Sequence, residues 1–170
     1  MNARPLVISR RLYRALCDEL ARRGRGRRES GAFLLASTRG PANRIVDVAY
    51  YDDLDPDSLT GAISFHTIGY SALADRCARD QLTVVADVHT HPRGQVYQSD
   101  TDQAHPMVAI AGHTALIMPC YGAGRPTLRQ LGVHVFGGAG RWDTTRGRAS
   151  RTRIRHETFL ERLRSAGAQW

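Results

Sequence analysis

The chain has 170 residues, 42% of them hydrophobic, which suits one core and is short for two. No apolar run approaches membrane-spanning length and no signal-peptide region, internal repeat or low-complexity tract is visible, which argues against membrane, secreted and solenoid proteins. The formal charge of +8 is carried by the ends: residues 1–40 hold ten Arg against three acids, residues 41–140 six against ten, and residues 141–170 eight against three, with no lysine anywhere.

In chain order, Leu6-Val7-Ile8 reads as a short strand or a staple. Ser9 then suits the N-cap of a helix carrying Leu12, Leu16 and Leu20. That helix should fray at Gly24-Arg25-Gly26. Residues 22–28 read as a basic loop running into Glu29, either a solvated turn or an electrostatic collar beside a site. Residues 32–37 read as a central strand, 39–43 as a turn and 45–50 as a half-buried strand. Asp52-Asp53-Leu54-Asp55-Pro56-Asp57 is an acidic loop without the Gly and terminal Glu of a calcium loop. Residues 62–66 are expected to form another strand, and 70–79 a helix with Leu73 and Cys77 inward.

Residues 83–88, Thr-Val-Val-Ala-Asp-Val, form a β-branched apolar run that reads as a buried strand. His89 and His91 follow at its end. A strand's period of two sends both imidazoles off one face, and Pro92 stops the ladder. The polar cluster Gln98-Ser99-Asp100-Thr101-Asp102 reads as the first turn of a helix that ends by His105-Pro106. Two imidazoles and the Asp102 carboxylate make a three-ligand set with a fourth position left for water, the arrangement of a catalytic zinc rather than a closed structural one.

Downstream, residues 114–118 read as a strand, 122–126 as a loop and 131–136 as an alternating strand. Gly137-Gly138 should turn toward Arg141-Trp142. Residues 156–165 should form a last amphipathic helix with Phe159, Leu160 and Leu163. Cys17, Cys77 and Cys120 are odd in number and unpaired by spacing, so buried reduced thiols in a cytoplasmic protein are expected. His66, His105, His113, His134 and His156 lack metal spacing and read as structural or solvated. Trp142 and Trp170 read as packing residues.

The pattern His89-Thr90-His91-Pro92, with Ser99 and Asp102 in register, resembles the signature of the JAMM metalloproteases, the JAB1/MPN/Mov34 domain. Glu29-Ser30-Gly31-Ala32-Phe33-Leu34-Leu35-Ala36 resembles the glutamate and glycine-containing strand that the family places upstream. Ala32 and Ala36 stand where glycine is frequent, and Ala86-Asp87 where an aromatic often precedes the histidines, so that Asp87 alters the pocket wall. The likeness covers roughly residues 6–144. It implies an α/β fold: a single JAB1/MPN domain over residues 1–170, with a mixed central β-sheet flanked by helices (cytidine-deaminase-like) and an arginine-rich extension over 145–170.

The resemblance also implies one Zn²⁺ per chain on His89, His91 and Asp102, with Glu29 as general base and Ser99 donating to the oxyanion. The reaction it implies is hydrolysis of the amide after the C-terminus of a ubiquitin-like protein, by deconjugation or precursor processing. A compact, arginine-rich member looks bacterial. It is similar to peptidases encoded with bacterial ubiquitin-like, activating and conjugating enzymes, some of them antiviral. Ubiquitin-like proteins, their conjugates and those enzymes are the expected partners, with no membrane and no nucleic acid. Two other readings stay open: a DNA-associated protein of the bacterial DNA-repair type, whose arginine-rich ends contact phosphates, and a non-catalytic scaffold that recruits a partner.

Overall fold

The computed structural model describes residues 4–59 and 63–167, with side chains through Leu163. Eight strands build one mixed sheet: β1 (Leu6–Ile8), β2 (Gly31–Ser37), β3 (Arg44–Tyr50), β4 (Leu82–Thr90), β5 (Thr114–Met118), β6 (Gly132–Gly138), β7 (Arg141–Thr145) and β8 (Ile154–His156). Their order is β7-β6-β5-β4-β2-β3-β1-β8. β4 runs parallel to β5, and β1 parallel to both β3 and β8; the other neighbours are antiparallel. The helices are α1 (Arg10–Gly24), α2 (Tyr51–Leu54, a single turn), α3 (Thr67–Asp80), α4 (Asp100–Ala104) and α5 (Phe159–Gly167). No described helix is long and apolar enough to cross a membrane.

Each face of the sheet carries its own core, and β2 shows why. Its alternate residues Ala32 and Leu34 join the cluster under α1 with Leu16, Cys17 and Leu20. Phe33 and Leu35 join the opposite cluster with Tyr51 and Leu73 of α3. α1 starts on Ser9, whose hydroxyl accepts from Leu12 N, and ends with Arg25 in the left-handed region at φ 52°.

β4 departs from this alternation. Leu82 and Val84 pack on the α3 side, Val85 and Ala86 both lie on the α1 side, and Val88 follows Ala86 there. The register with β2 shifts at the same place, Leu34 pairing with Ala86 and Leu35 with Val84. This extra residue is a β-bulge. It turns Asp87 and His89 to the α3 side; unbroken alternation from Val84 would have aimed them under α1.

Several sequence expectations need correction. Residues 63–66 form no regular structure and pair with no described strand. Their apolar alternation serves packing instead, Ile63 and Phe65 against Phe33 and Tyr51. Their backbone is tied locally, Ser64 N to Ser58 O and His66 N to the Asp55 carboxylate at 2.8 Å. The start of that expected strand, Ala62, and Trp170 lie outside the described residues. Gly137 and Gly138 end β6 rather than turn; the turn falls on Ala139-Gly140, at φ 50° and 71°. The last helix starts at Phe159, because Ile154–His156 is taken up as β8 beside β1. Cys17 is buried and Cys77 partly so, but Cys120 is exposed; all three are free.

The basic stretch and the acidic loop neutralise one another in part. Arg22 and Arg23 are the last turn of α1, not loop, and both pair with Glu19. Arg23 reaches across to Asp52 and Asp53 at 2.5 and 2.7 Å and stacks on Tyr50. In the C-terminal region Arg146 stacks on Tyr97, Arg153 pairs with Asp143 and Arg155 with Glu161.

Candidate metal centre

His89 is the penultimate residue of β4 and pairs in register with Gly31 of β2 and Ile117 of β5. His91 lies one residue beyond the strand. Its N–H still donates to Met118 O at 2.9 Å, and its carbonyl accepts from Tyr121 N at 2.9 Å, so both histidines stand on fixed backbone. Their Nε2 atoms lie 3.1 Å apart.

Asp102 arrives from α4, and the Ser-x2-Asp spacing explains how. Ser99 is the N-cap: its Oγ accepts from Asp102 N at 3.1 Å. Asp102 Oδ2 accepts from Ser99 N at 2.7 Å and from Ser99 Oγ at 2.8 Å, closing a capping box. The carboxylate is held pointing back past the helix start. Asp102 Oδ1 lies 3.5 Å from His89 Nε2, and Oδ2 3.5 Å from His91 Nε2.

Four-coordinate zinc with ligands at 2.0–2.1 Å spaces its donor atoms about 3.3 Å apart. Here the two Nε2 atoms lie 3.1 Å apart and each is 3.5 Å from a different oxygen of the Asp102 carboxylate, so that one donor atom from each residue falls within 4.8 Å of the others. Two imidazoles and one carboxylate suit zinc and its neighbours better than calcium or magnesium, which take oxygen ligands. His89, His91 and Asp102 therefore fit one metal ion, and the five other histidines stand outside the group.

The electrostatics without metal agree. Burial opposes charge on Asp102, but hydrogen bonds with His89, His91 and Ser99 outweigh it and hold its carboxyl well below the usual carboxylate range. Burial likewise opposes charge on His89, yet the Asp102 carboxylate raises it above the ordinary histidine value. The triad waits as a proton-binding cluster that a cation can replace.

The comparisons with known proteins stop at this level. No family model matches the sequence. Among solved structures, a protein of Desulfitobacterium hafniense superposes with a TM-score of 0.63 at 14% identity, over 92% of this chain and 96% of that one. A protein from Salinibacter ruber gives 0.54 at 21% identity, over 83% and 88%. A JAB1/MPN domain protein from Archaeoglobus fulgidus gives 0.46 at 14% identity, over 89% and 98%. The first two likenesses concern the fold alone.

Glu29 precedes β2. Ser30 faces α1, donating its hydroxyl to Leu20 O at 2.8 Å, and the Glu29 carboxyl lies near enough to His89, His91 and Asp102 to feel their charges. The link to β4 continues before the start of β2: Thr90 N donates to Ser30 O at 2.9 Å, and Ser30 N donates to the Thr90 side-chain Oγ1 at 3.0 Å. Glu29 is half-buried. Burial raises its carboxyl above the usual range, while the fields of His89 and His91 oppose the rise. Gly31 is required between them: a Cβ there would lie 2.2 Å from the Tyr51 ring and 2.9 Å from Val88 O.

Ser99 presents its one hydroxyl proton to Asp102 Oδ2, so serving an oxyanion would require that proton to turn away. The cleft beside the triad, about 60 Å³ and continuous with solvent, is walled by Tyr51, Ile63, Met107 and Trp142, with Asp87 in its lining. Neither the acidic loop 52–57 nor the loop 122–126 contributes to its lining. His134 was readable only as a structural histidine. It pins the segment leading to Ser99, its Nε2 meeting Val96 O at 3.0 Å and its Nδ1 meeting Thr144 Oγ1 at 2.9 Å. The buried pair Asp87–His113, 2.7 Å apart, had no sequence signal beyond the odd position of Asp87.

Proposed function

We propose that this chain is a zinc-dependent peptidase of the JAMM type that hydrolyses the amide bond after the C-terminal tail of a ubiquitin-like protein, with His89, His91 and Asp102 as ligands of one zinc. The observation that carries this reading is the convergence of one donor atom from each of those three residues to within 4.8 Å of one another. Zinc, when bound, supplies a Lewis acid for the scissile carbonyl and lowers the pKa of a water to about 7.

The chain's own residues supply the rest. Glu29 takes the proton of the attacking water and delivers it to the leaving amine; without metal, burial raises its carboxyl while the fields of His89 and His91 oppose the rise. Ser99 orients Asp102 and can turn its hydroxyl to the carbonyl oxygen, a contact worth roughly 3 kcal/mol in the transition state. The sequence signature supports the family, and a ubiquitin-like tail fits because an extended chain with small terminal residues passes closest to the metal. The partners in this reading are ubiquitin-like proteins, their conjugates and the enzymes that activate and join them. The pairing of Arg146, Arg153 and Arg155 within the fold weighs against a phosphate-binding C-terminal region.

The test is cleavage of a ubiquitin-like protein encoded beside this gene, fused to a C-terminal extension, by wild type and by Glu29→Ala. Cleavage at the tail's end should occur with wild type and fall by orders of magnitude with Glu29→Ala, zinc content unchanged. No cleavage by zinc-loaded wild type, or equal cleavage by the variant, overturns the reading.

A further inference from the structure

A second groove, about 600 Å³, opens at the β8 edge of the sheet and shares no lining residue with the cleft beside the triad. That volume falls within the range of ligand-binding clefts. Arg10 from the start of α1, Arg129 and Arg151 from two short helical turns, and Arg155 from β8 stand around Leu128 and Ile154, which belong to the core beneath. The walls rest on tied backbone. Ser9 caps α1, and Gln130 Oε1 accepts from Thr127 N at 2.8 Å. On either side of β8, Arg153 O accepts from Leu6 N and Glu157 N donates to Ile8 O.

Positive charge collects in this groove without an answer inside the fold. Glu157 is the one acid in the lining, and Arg44 takes its carboxylate. Glu161 nearby is taken by Arg155. Arg10, Arg129 and Arg151 are exposed and have no acidic partner among the described residues. The start of α1 makes the imbalance costly. A helix's first turn favours anions, and like charges four residues apart repel. α1 instead carries Arg10, Arg11 and Arg14 at this end and no acid in its first turn. His156, also in the lining, feels the same field. Burial and then Arg10 and Arg14 hold its imidazole below the ordinary histidine value, against the bond to Ile8 O. An anion seated in the groove would relieve each of these repulsions.

The groove is much larger than a single carboxylate or phosphate group, and its free arginines come from three separate segments. Carboxylates spread along a short chain match that arrangement, each taking a guanidinium fork. Nucleic acid needs a row of cations that follows successive phosphates. Here the row is broken, because Arg153 and Arg155 are spent on Asp143 and Glu161. No phenylalanine, tyrosine or tryptophan lines the groove to stack a base. We infer that this groove is a docking site for a short acidic segment of a partner protein, held by Arg10, Arg129 and Arg151. The inference does not depend on the peptidase reading, since groove and triad share no residue.

The test is binding of fluorescein-labelled probes to the full chain, followed by anisotropy at about 0.1 M salt, where charges farther than about 10 Å are screened. The probes are the peptide Asp-Glu-Asp-Glu-Asp-Glu, its uncharged counterpart Asn-Gln-Asn-Gln-Asn-Gln, and a hexathymidylate strand. The acidic peptide should bind at least about tenfold more tightly than the other two. Replacing Arg10, Arg129 and Arg151 together by Gln should weaken it about tenfold, what three solvent-facing ion pairs amount to. The melting temperature should not fall, because the change removes repulsion. Replacing Arg39, Arg79 and Arg141, exposed elsewhere, by Gln removes the same charge and should alter binding less than about twofold. Equal binding of the acidic and uncharged peptides by wild type, or no binding of either, overturns the site, and this comparison needs no variant. Equal losses in the two triple variants would reduce the effect to net charge and overturn it as well. Tighter binding of the oligonucleotide, lost in the groove variant, would give the groove to nucleic acid instead.

Discussion

Asp102 does two jobs with one carboxylate: it closes the capping box of α4 and completes the metal triad. Ser99 should therefore matter for metal binding as well as for chemistry. Ser99→Ala removes a hydroxyl that both caps α4 and fixes Asp102 Oδ2, and the expected loss of zinc affinity is about tenfold or more. Competition with a chelator measures it, and unchanged affinity would separate Ser99 from the ligand set. The titration of the free site gives a second expectation. Metal needs neutral imidazole, and His89 without metal keeps its proton to a pH above the ordinary histidine value. Zinc binding near and below that pH should release protons, and affinity should fall as pH drops through it. Calorimetry in buffers of different ionisation enthalpy reads this directly; zero proton release at pH 6 would contradict it. At this scale the ligands were legible in the sequence because strand period and helix capping are local rules. The Asp87–His113 pair was not, because it depends on the bulge and on the turn before β5.

At the scale of elements, the site depends on how β2, β4 and α2 meet. Gly31 pairs with His89 and lies under the Tyr51 ring, so its lack of a side chain sets the spacing between sheet and ring. Gly31→Ala forces Tyr51 or β2 to move and should cost roughly 1–3 kcal/mol in denaturant unfolding, as overpacking does. It should also weaken zinc binding, since His89 is the ladder partner. Unchanged stability would mean that the ring yields freely. The element pattern was readable where periodicity was long, as in α1 and α3. It failed at residues 63–66, where alternation served a segment held by Asp55 and its turn. It also failed at β8, where three residues carry too little pattern to distinguish strand from helix start. The bulge itself leaves no mark in Thr-Val-Val-Ala-Asp-Val, although it decides which face receives His89.

For the whole molecule, eight strands in one sheet bring Glu29, the two histidines and Asp102 from three separate segments to one end of β4. The uneven charge of the chain is partly an internal matter. Arg23 bridges α1 to Asp52 and Asp53, and three of the C-terminal arginines are engaged within the fold. Arg25 and Arg27 remain exposed beside Glu29, which keeps the collar reading of the N-terminal arginines compatible with the fold. Composition showed the imbalance but not which charges face one another, since that depends on the tertiary pairing. The proposed chemistry depends on one ion in one place. Native mass spectrometry and elemental analysis of the intact chain, purified without added metal, should find close to one zinc, and His91→Ala should lose most of it while remaining folded. Full zinc retention in a folded His91→Ala variant would contradict the account.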